Sequence, residues 1–369
     1  MSGAGGMPGA GGMSGAGGMD SRWQHGGMRS DDLRAVEWAG AAIRLIDQRL
    51  LPVRLAYLNI DDVDALVEAV RGLAVRGAPA LGAVGALGVV VAMRQGRRQG
   101  WSADRLAVEI DKVRRARPTA VNLAWGVDRV LPLVAGGTPA GQDAVLSAAL
   151  ELIAEDEAGN HEIGRLGADW ILARVSRRPV RVLTHCNAGF LATCGWGTAL
   201  GVVRELHARG ALEVVYADET RPLLQGSRLT AWELAADAIP HFVQADAAAA
   251  STIVGGLVDV AIIGADRVAA NGDIANKVGS LGVALACQDA GIPFVVAAPE
   301  STLDPATATG ADIQVELRDG EEVLCVGGVR VAPEGSRGFN PAFDVTPARL
   351  VTALVTQARV LEVSAGQLP

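Results

Sequence analysis

Val180-Arg181-Val182-Leu183-Thr184-His185-Cys186-Asn187-Ala188-Gly189 is the stretch that decides the fold. Its first four residues read as a short β-strand. Polar residues follow at once, and a long glycine- and alanine-rich run reads as a helix beyond them. Open α/β sheets place their ligands in the turn between a parallel strand and its helix. The N-terminus of a helix favours negative charge, so it can lower a thiol pKa or hold a phosphate. Cys186 is therefore a candidate reactive thiol. The competing reading is a buried structural cysteine, since free Cys is among the most buried residue types.

Downstream the alternation is regular. Strand-like runs occur at 180–184, 213–217, 241–244, 258–263 and 293–297, and helix-length segments follow, most clearly 229–238, 247–257 and 278–290. That is the pattern of βαβ units, a parallel sheet with helices on both faces. No G-x-G-x-x-G follows a strand, so a dinucleotide cofactor is not expected. Gly82, Gly85 and Gly88 fall inside a predicted helix, where they suit close helix packing.

Upstream, 39–50 contains strand-like pieces, 60–75 reads as an amphipathic helix opened by Asp61-Asp62, and 80–93 reads as a buried helix. Between them lies Arg76-Gly77-Ala78-Pro79. Pro79 suits the first turn of a helix and Gly77 allows close backbone approach, so this is either an anion cradle or a plain turn. Arg117-Pro118 ends one helix, and Val121-Asn122-Leu123 begins another. Residues 142–175 carry helical periodicity and bridge the two halves. A hairpin is expected over 313–331 around Arg318-Asp319-Gly320, and a helix after Thr346 as N-cap with Pro347 at its first position. The expected class is α/β: a helix-rich N-terminal domain with a small sheet over 29–160, then a Rossmann-like parallel-sheet domain over 161–369. Residues 1–28, with their Met-Ser/Pro-Gly-Ala-Gly-Gly hexads, read as a flexible tail.

Half of the 369 residues are hydrophobic, ample for a packed core, and the formal net charge is −8. No Lys/Arg block or basic-aromatic array appears, which argues against nucleic acid as a partner. The four cysteines (Cys186, Cys194, Cys287, Cys325) form no C-x-x-C and make a poor disulfide framework. No metal-ligand spacing accompanies them. The uncharged runs 77–93 and 187–203 fall short of the ~20 residues a membrane span needs and read as buried helices. No signal-peptide pattern opens the chain, so the cytoplasm is the expected compartment and no membrane partner is expected.

Three polar clusters fall at predicted strand ends: Thr184-His185-Cys186-Asn187; Ala217-Asp218-Glu219-Thr220-Arg221-Pro222-Leu223-Leu224-Gln225-Gly226; and Gly264-Ala265-Asp266-Arg267, continued by Asn271-Gly272-Asp273-Ile274-Ala275-Asn276-Lys277-Val278-Gly279-Ser280. A parallel sheet gathers such turns along one edge. A thiol, a carboxylate, an amide and a lysine would then share that edge. Each alone has a plainer reading: Asp266 as a helix cap, Lys277 as a solvated charge, Gln225 as a loop amide.

These stretches carry a resemblance. Arg76-Gly77-Ala78-Pro79-Ala80, Arg117-Pro118-Thr119-Ala120-Val121-Asn122-Leu123, Thr184 to Gly189, Glu219 to Gly226 with Arg228-Leu229-Thr230, Gly264 to Arg267, Asn276 to Gly279 and Asn340 to Pro347 resemble the 5-methylthioribose-1-phosphate isomerase family of methionine salvage. The resemblance covers roughly 29–365 in order and spacing. It implies an aldose-ketose isomerase that needs no cofactor and is usually a homodimer. It implies Asp266 as proton donor and Cys186 as the second catalytic group. Arg76, Gly77, Ala78, Arg117, Gln225, Asn276 and Lys277 become the substrate-binding residues, with a phosphosugar as partner. The same fold serves the non-catalytic alpha, beta and delta regulatory subunits of the translation-initiation guanine-nucleotide exchange factor, which lack the Cys/Asp pair present here. A nearer alternative is an isomerase of 5-deoxyribose 1-phosphate or ribose 1,5-bisphosphate.

The chemistry follows from the substrate class. A phosphate ester on the anomeric hydroxyl locks the furanose ring, so the enzyme has to open it by protonating the ring oxygen. A carboxyl does this only if it is protonated at working pH, which an apolar surround favours. Asp266 follows an apolar strand and is expected to be desolvated with a raised pKa. Hydrogen then passes from C2 to C1, either by proton abstraction with Cys186 as base or as a hydride to a cationic C1 that Cys186 stabilises. A water-poor site suits the hydride route.

Overall fold

The computed structural model describes residues 29–118, 121–134 and 139–369, so the expected tail at 1–28 and the Thr119-Ala120 pair lie outside the described residues. A three-stranded antiparallel sheet opens it: β1 (Val36–Ala39), β2 (Ala42–Ile46) and β3 (Tyr57–Ile60). Asp62 then caps α1 (Val63–Arg71) by accepting from the Ala65 N–H at 2.8 Å. The long α2 (Ala78–Gln99), α3 (Ala103–Arg114), α4 (Val121–Val130) and α5 (Pro139–Arg174) follow.

Helix α2 is the axis of this first half. It is the one described helix long and apolar enough to cross a membrane, but 78% of its apolar window is buried among the surrounding helices and small sheet. It runs beyond the expected 80–93 at both ends. Its glycines serve contact: a Cβ on Gly85 would lie 2.3 Å from the Leu123 carbonyl oxygen, and one on Gly126 would lie 1.9 Å from that of Gly82. The backbones of α2 and α4 touch where these side chains are missing.

The 36 residues of α5 join the two halves. Val145, Ala149 and Leu152 pack into the first core, whereas Ile163, Ala168 and Ile171 pack into the second. Beyond it come β4 (Val180–Thr184), α6 (Ala199–Ala208), β5 (Leu212–Asp218), α7 (Ala231–Ala236), β6 (His241–Gln244), α8 (Ala249–Val254), β7 (Val260–Ile263), β8 (Arg267–Ala269), β9 (Ile274–Lys277), α9 (Ser280–Ala290) and β10 (Phe294–Ala297). The remainder is β11 (Leu303–Asp304), α10 (Glu321–Leu324), β12 (Cys325–Val326), β13 (Val329–Arg330), β14 (Phe343–Thr346), β15 (Ala353–Val355) and β16 (Val360–Leu361).

The main sheet has the order β16-β15-β10-β7-β4-β5-β6, parallel throughout except for the edge strand β16. From β4 the chain winds outward through β5 and β6, then returns to β7 on the other side. In chain order the six parallel strands lie 3-2-1-4-5-6, the doubly wound Rossmann arrangement. Both faces are covered. Val182, Val260, Ile262 and Val295 face α5 and α6, whereas Leu183, Ala261, Ile263 and Phe294 face α8 and α9. The strands therefore read as continuous apolar runs rather than alternating ones.

Three expectations fail on tertiary grounds. Residues 187–203 do not form one helix: a loop with a 3-10 turn at Phe190–Ala192 precedes α6, which starts only at Ala199. No hairpin turns at Arg318-Asp319-Gly320. Gly320 precedes α10, and the small hairpin β12–β13 turns at Gly327-Gly328, whose φ angles are +58° and +81°. Thr346 ends a strand rather than capping a helix, because β14 pairs antiparallel with β9 and only a 3-10 turn, Ala348–Leu350, follows. The partner strand overrides the local cap signal. A second sheet, β11-β8-β9-β14, results, and no sequence pattern had indicated it.

The helix contact gives a direct test. Gly126→Ala, forced against the Gly82 carbonyl, is expected to destabilise the protein by about 1–3 kcal/mol in urea unfolding. Gly282→Ala, on α9 with open space around it, is expected to stabilise it by about 0.5–1 kcal/mol.

Candidate active site

The chain changes direction between β4 and β7, and the candidate site stands at the carboxyl ends of those two strands. Ligands of doubly wound sheets bind at this crevice because both neighbouring connections leave it open. Cys186 lies just past β4 with φ +64°, a left-handed conformation unusual for a side-chain-bearing residue. Two threonines hold it there. The Cys186 N–H donates to Thr220 Oγ1 at 2.8 Å, and Thr230 Oγ1 donates to the Cys186 carbonyl at 2.6 Å. Thr220 also has a positive φ, and its loop is anchored through the Thr220 and Arg221 N–H groups, which donate to Asp246 at 2.7 and 2.6 Å. The backbone that presents the thiol is thus fixed from two other strand ends.

The helix expected beneath Cys186 is absent, since α6 begins thirteen residues later, at Ala199. The helix N-terminus at this site belongs to α2 instead. Gly77, with φ +95°, precedes it, and a Cβ there would meet the Ala192 carbonyl oxygen at 2.2 Å. Pro79 lies in its first turn, as expected. Arg76 reaches across to the other half of the molecule: its Nη1 donates to Asn187 Oδ1 at 3.0 Å, its Nη2 to the Asn187 carbonyl at 2.8 Å, and Nη2 lies 4.0 Å from Cys186 Sγ.

Asn187 is held in turn by Glu233. This fully buried carboxylate accepts from Asn187 Nδ2 at 2.9 Å, from the Phe190 N–H at 2.9 Å, from the Leu191 N–H at 3.2 Å and from Arg204 Nη2 at 2.9 Å. Arg204 is buried as well and also pairs with Asp237 at 2.7 Å. A buried ion pair of this kind is retained only when hydrogen bonds satisfy the remaining lone pairs, as they do here.

Asp266 stands between β7 and β8, with its N–H donating to the Ala275 carbonyl at 2.9 Å. Burial pushes its carboxyl above the ordinary range, against the pull of Lys277, Arg76 and Arg117, while Glu316 adds to the rise. Burial also lowers Lys277, although Cys186 and Asp266 favour its ammonium form. The Lys277 Nζ lies 4.8 Å from the centroid of the Phe343 ring. Asn276 Nδ2 donates to Ser280 Oγ at 2.9 Å, which leaves its oxygen for other partners. Arg117 pairs with Glu316 at 3.3 Å, while its buried Nε has no hydrogen-bond partner among the described residues.

The structure therefore brings Cys186, Asp266, Arg76, Gly77, Ala78, Arg117 and Asn276 to one cleft between the two halves. The inner part is lined by Arg76, His185, Cys186, Asn187, Asp266 and Asn276. The outer part shares Gly77, Ala78 and Asp266 and adds Arg117 and Arg267 with the apolar Leu81, Val121, Ile313 and Phe343. Lys277 lies just outside that lining, with its Nζ beside the Phe343 ring, and the further exception is Gln225. It is buried beside the Thr220 loop but outside this lining, and its Oε1 has no hydrogen-bond partner among the described residues. Sequence reasoning missed the apolar outer wall and Glu233. Phe343 lay inside a quoted stretch, but nothing local marks Ile313 or Glu233 as facing a site.

Comparison with known proteins gives the family and the fold. The model of the initiation factor 2 subunit family matches residues 74–362. A methylthioribose-1-phosphate isomerase from Alkalilimnicola ehrlichii is 48% identical over 90% of this chain and 95% of its own length. A probable bifunctional methylthioribose-1-phosphate isomerase/methylthioribulose-1-phosphate dehydratase from Nocardia farcinica is 52% identical, but this chain spans only 60% of its length. The crystal structure of 5-methylthioribose 1-phosphate isomerase from Pyrococcus horikoshii superposes with a TM-score of 0.81 at 37% identity, covering 93% of this chain and 96% of that one. One titled as the delta subunit of translation initiation factor eIF-2B, from A. fulgidus, gives 0.78 at 40% identity, covering 89% and 96%. By these matches the chain belongs to the initiation factor 2 subunit family and, within it, to the methylthioribose-1-phosphate isomerase family.

Proposed function

We propose that this protein converts 5-methylthioribose 1-phosphate to 5-methylthioribulose 1-phosphate, an intramolecular aldose-ketose isomerisation of methionine salvage. The observation that carries the reading is that Asp266 and Cys186 line one cleft together with Arg76 and Arg117, with Lys277 against it, and that burial pushes the Asp266 carboxyl above its ordinary range. A regulatory subunit has no use for a carboxyl poised to donate a proton in a cationic cleft.

Arg76, Arg117 and Lys277 supply the positive charge for the phosphate, and the free N–H groups at the start of α2 add hydrogen bonds to it. Asn276 accepts or donates at a sugar hydroxyl. Asp266 gives its proton to the ring oxygen, the bond from C1 to that oxygen breaks, and C1 becomes an oxocarbenium stabilised by its phosphate-bearing oxygen. Hydride then passes from C2 to C1 while the proton of the 2-hydroxyl returns to the Asp266 carboxylate. The product is a ketone at C2 with the phosphate ester intact at C1, and the enzyme ends in its starting protonation state. Cys186, held next to Arg76 by its strained backbone, stabilises the developing positive charge at C1.

The 5-substituent is read from the outer wall. Leu81, Val121, Ile313 and Phe343 offer apolar surface to a thioether, while Arg267, which lines the same wall, is already paired with Asp304 at 3.4 Å. This favours the methylthio sugar over ribose 1,5-bisphosphate. A homodimer, on the strength of the resemblance, and a cytoplasmic setting complete the proposal.

Turnover of 5-methylthioribose 1-phosphate is the first measurement. Cys186→Ser and Asp266→Asn are each expected to lose about 10²–10⁴-fold in kcat while remaining folded. No turnover by folded wild type would move the reading to the regulatory class. The acid form of Asp266 is the active one and its pKa is raised, so kcat is expected to hold through the acidic range and fall as pH rises through that pKa. Residual activity of Asp266→Asn should lack this fall. In deuterated water the hydride route leaves C1 of the product unlabelled. Deuterium at C1 would instead assign the enediolate route.

A further inference from the structure

We propose that His185 is a positioning residue whose imidazole, hydrogen-bonded to Asp218 and to the Val278 carbonyl, sets the turn that holds Lys277 against the cleft. The proposal rests on the reading of Lys277 as a phosphate-binding cation.

His185 is 1% exposed, and both of its ring nitrogens are engaged. Nδ1 lies 3.0 Å from Asp218 Oδ2 and Nε2 lies 2.8 Å from the Val278 carbonyl oxygen. A carbonyl only accepts, so Nε2 carries a proton and donates it. The one ring therefore ties the end of β4 to the end of β5 and to the residue after β9. Its fit is close: Gly279 has φ +110°, and a Cβ there would lie 2.7 Å from His185 Cε1. From the opposite side Asp344 accepts from the Gly279 N–H at 2.7 Å and from the Leu281 N–H at 3.2 Å. Residues 278–281 are thus clamped between His185 and Asp344, with Lys277 and Asn276 immediately before the clamp.

The support extends behind the ring. Gln244 Nε2 donates to Asp218 Oδ1 at 2.8 Å, and Thr252 Oγ1 donates to Gln244 Oε1 at 2.8 Å. The chain of bonds runs from the cleft floor through β6 to α8. His185, Asp218 and Asp246 are close enough together to suggest a metal site. Their atoms are already used, however: Asp246 accepts the two loop N–H groups and Asp218 is paired with His185 and Gln244. They are better explained as scaffolding.

Two substitutions separate position from charge. In Asp218→Asn the amide nitrogen can donate to Nδ1 of a neutral ring whose Nε2 still donates to Val278, while the amide oxygen still accepts from Gln244. The geometry survives and the charges are gone. His185→Ala loses both bonds, and in His185→Gln the longer amide can still reach the Val278 carbonyl. Steady-state kinetics with 5-methylthioribose 1-phosphate, alongside circular dichroism and melting curves, reads these variants and Lys277→Ala.

His185→Ala is expected to lose about 100-fold in kcat/KM, mostly through a raised KM, while Asp218→Asn stays within about threefold of wild type. His185→Gln is expected to recover part of the loss, and it carries the test if His185→Ala does not fold. Adding His185→Ala to Lys277→Ala is expected to cost less than about threefold more, because the two act on one contact. A folded His185→Ala with wild-type KM would overturn the proposal. So would full additivity with Lys277→Ala, or an Asp218→Asn as impaired as His185→Ala. Lys277→Ala with unchanged KM would overturn the phosphate reading of Lys277 itself, a distinct result, and the positioning role with it.

Discussion

Glu233 is the group on which the site depends. It is a carboxylate with no access to water, and it has to be fully paired to exist there. Its partners are the Phe190 and Leu191 N–H groups, the Asn187 amide and the Arg204 guanidinium. Those bonds turn a long loop into a rigid element. Asn187 then presents two oxygens to Arg76, and Arg76 is brought beside the Cys186 sulfur. A surface charge cluster would give nothing comparable, because solvent screens it and side-chain entropy opposes it.

The same logic of desolvation gives the site its chemistry. Three cations converge on one cleft, and by themselves they would hold any nearby carboxyl ionised. Burial of Asp266 opposes them and wins, so its pKa is raised rather than lowered. The neighbouring Lys277 feels the mirror effect, lowered by burial against the attraction of Cys186 and Asp266. A proton donor and a phosphate-binding surface thereby occupy the same small volume. They do so because the helical half packs against the sheet: the turn at Arg76 to Ala78 and Arg117 come from the helical half, while Cys186 and Asp266 come from the strand ends of the sheet.

Much of this was legible in the chain. Apolar runs of strand length, each followed by a helix-length segment, specify a parallel sheet because such strands are buried on both faces. The polar residues immediately after 180–184 and 258–263 then mark its carboxyl edge. Gly77 and Pro79 announced the turn into α2 through their own backbone preferences. Other features were beyond local reading. The loop at 187–198 has the composition of a helix, yet it forms only a 3-10 turn and irregular backbone, because Glu233 and Arg204 capture its N–H and carbonyl groups. Thr346-Pro347 has the chemistry of a helix start, yet β9 recruits it as a strand.

By itself the sequence determined the fold class, the alternation of strands and helices that builds the centre of the main sheet and the residue types available at the sheet edge, since these follow from hydrophobic periodicity and intrinsic backbone preference. Only the tertiary structure decided which of those residues meet, that α2 rather than α6 offers its N-terminus, that Gln225 stands outside the cleft lining, and that Leu81, Val121, Ile313 and Phe343 form its apolar wall. The physical reason is range. Periodicity and capping act over one or two turns of chain. Desolvation of Asp266 and the pairing of Glu233 depend on groups from distant segments, and no local pattern encodes their approach.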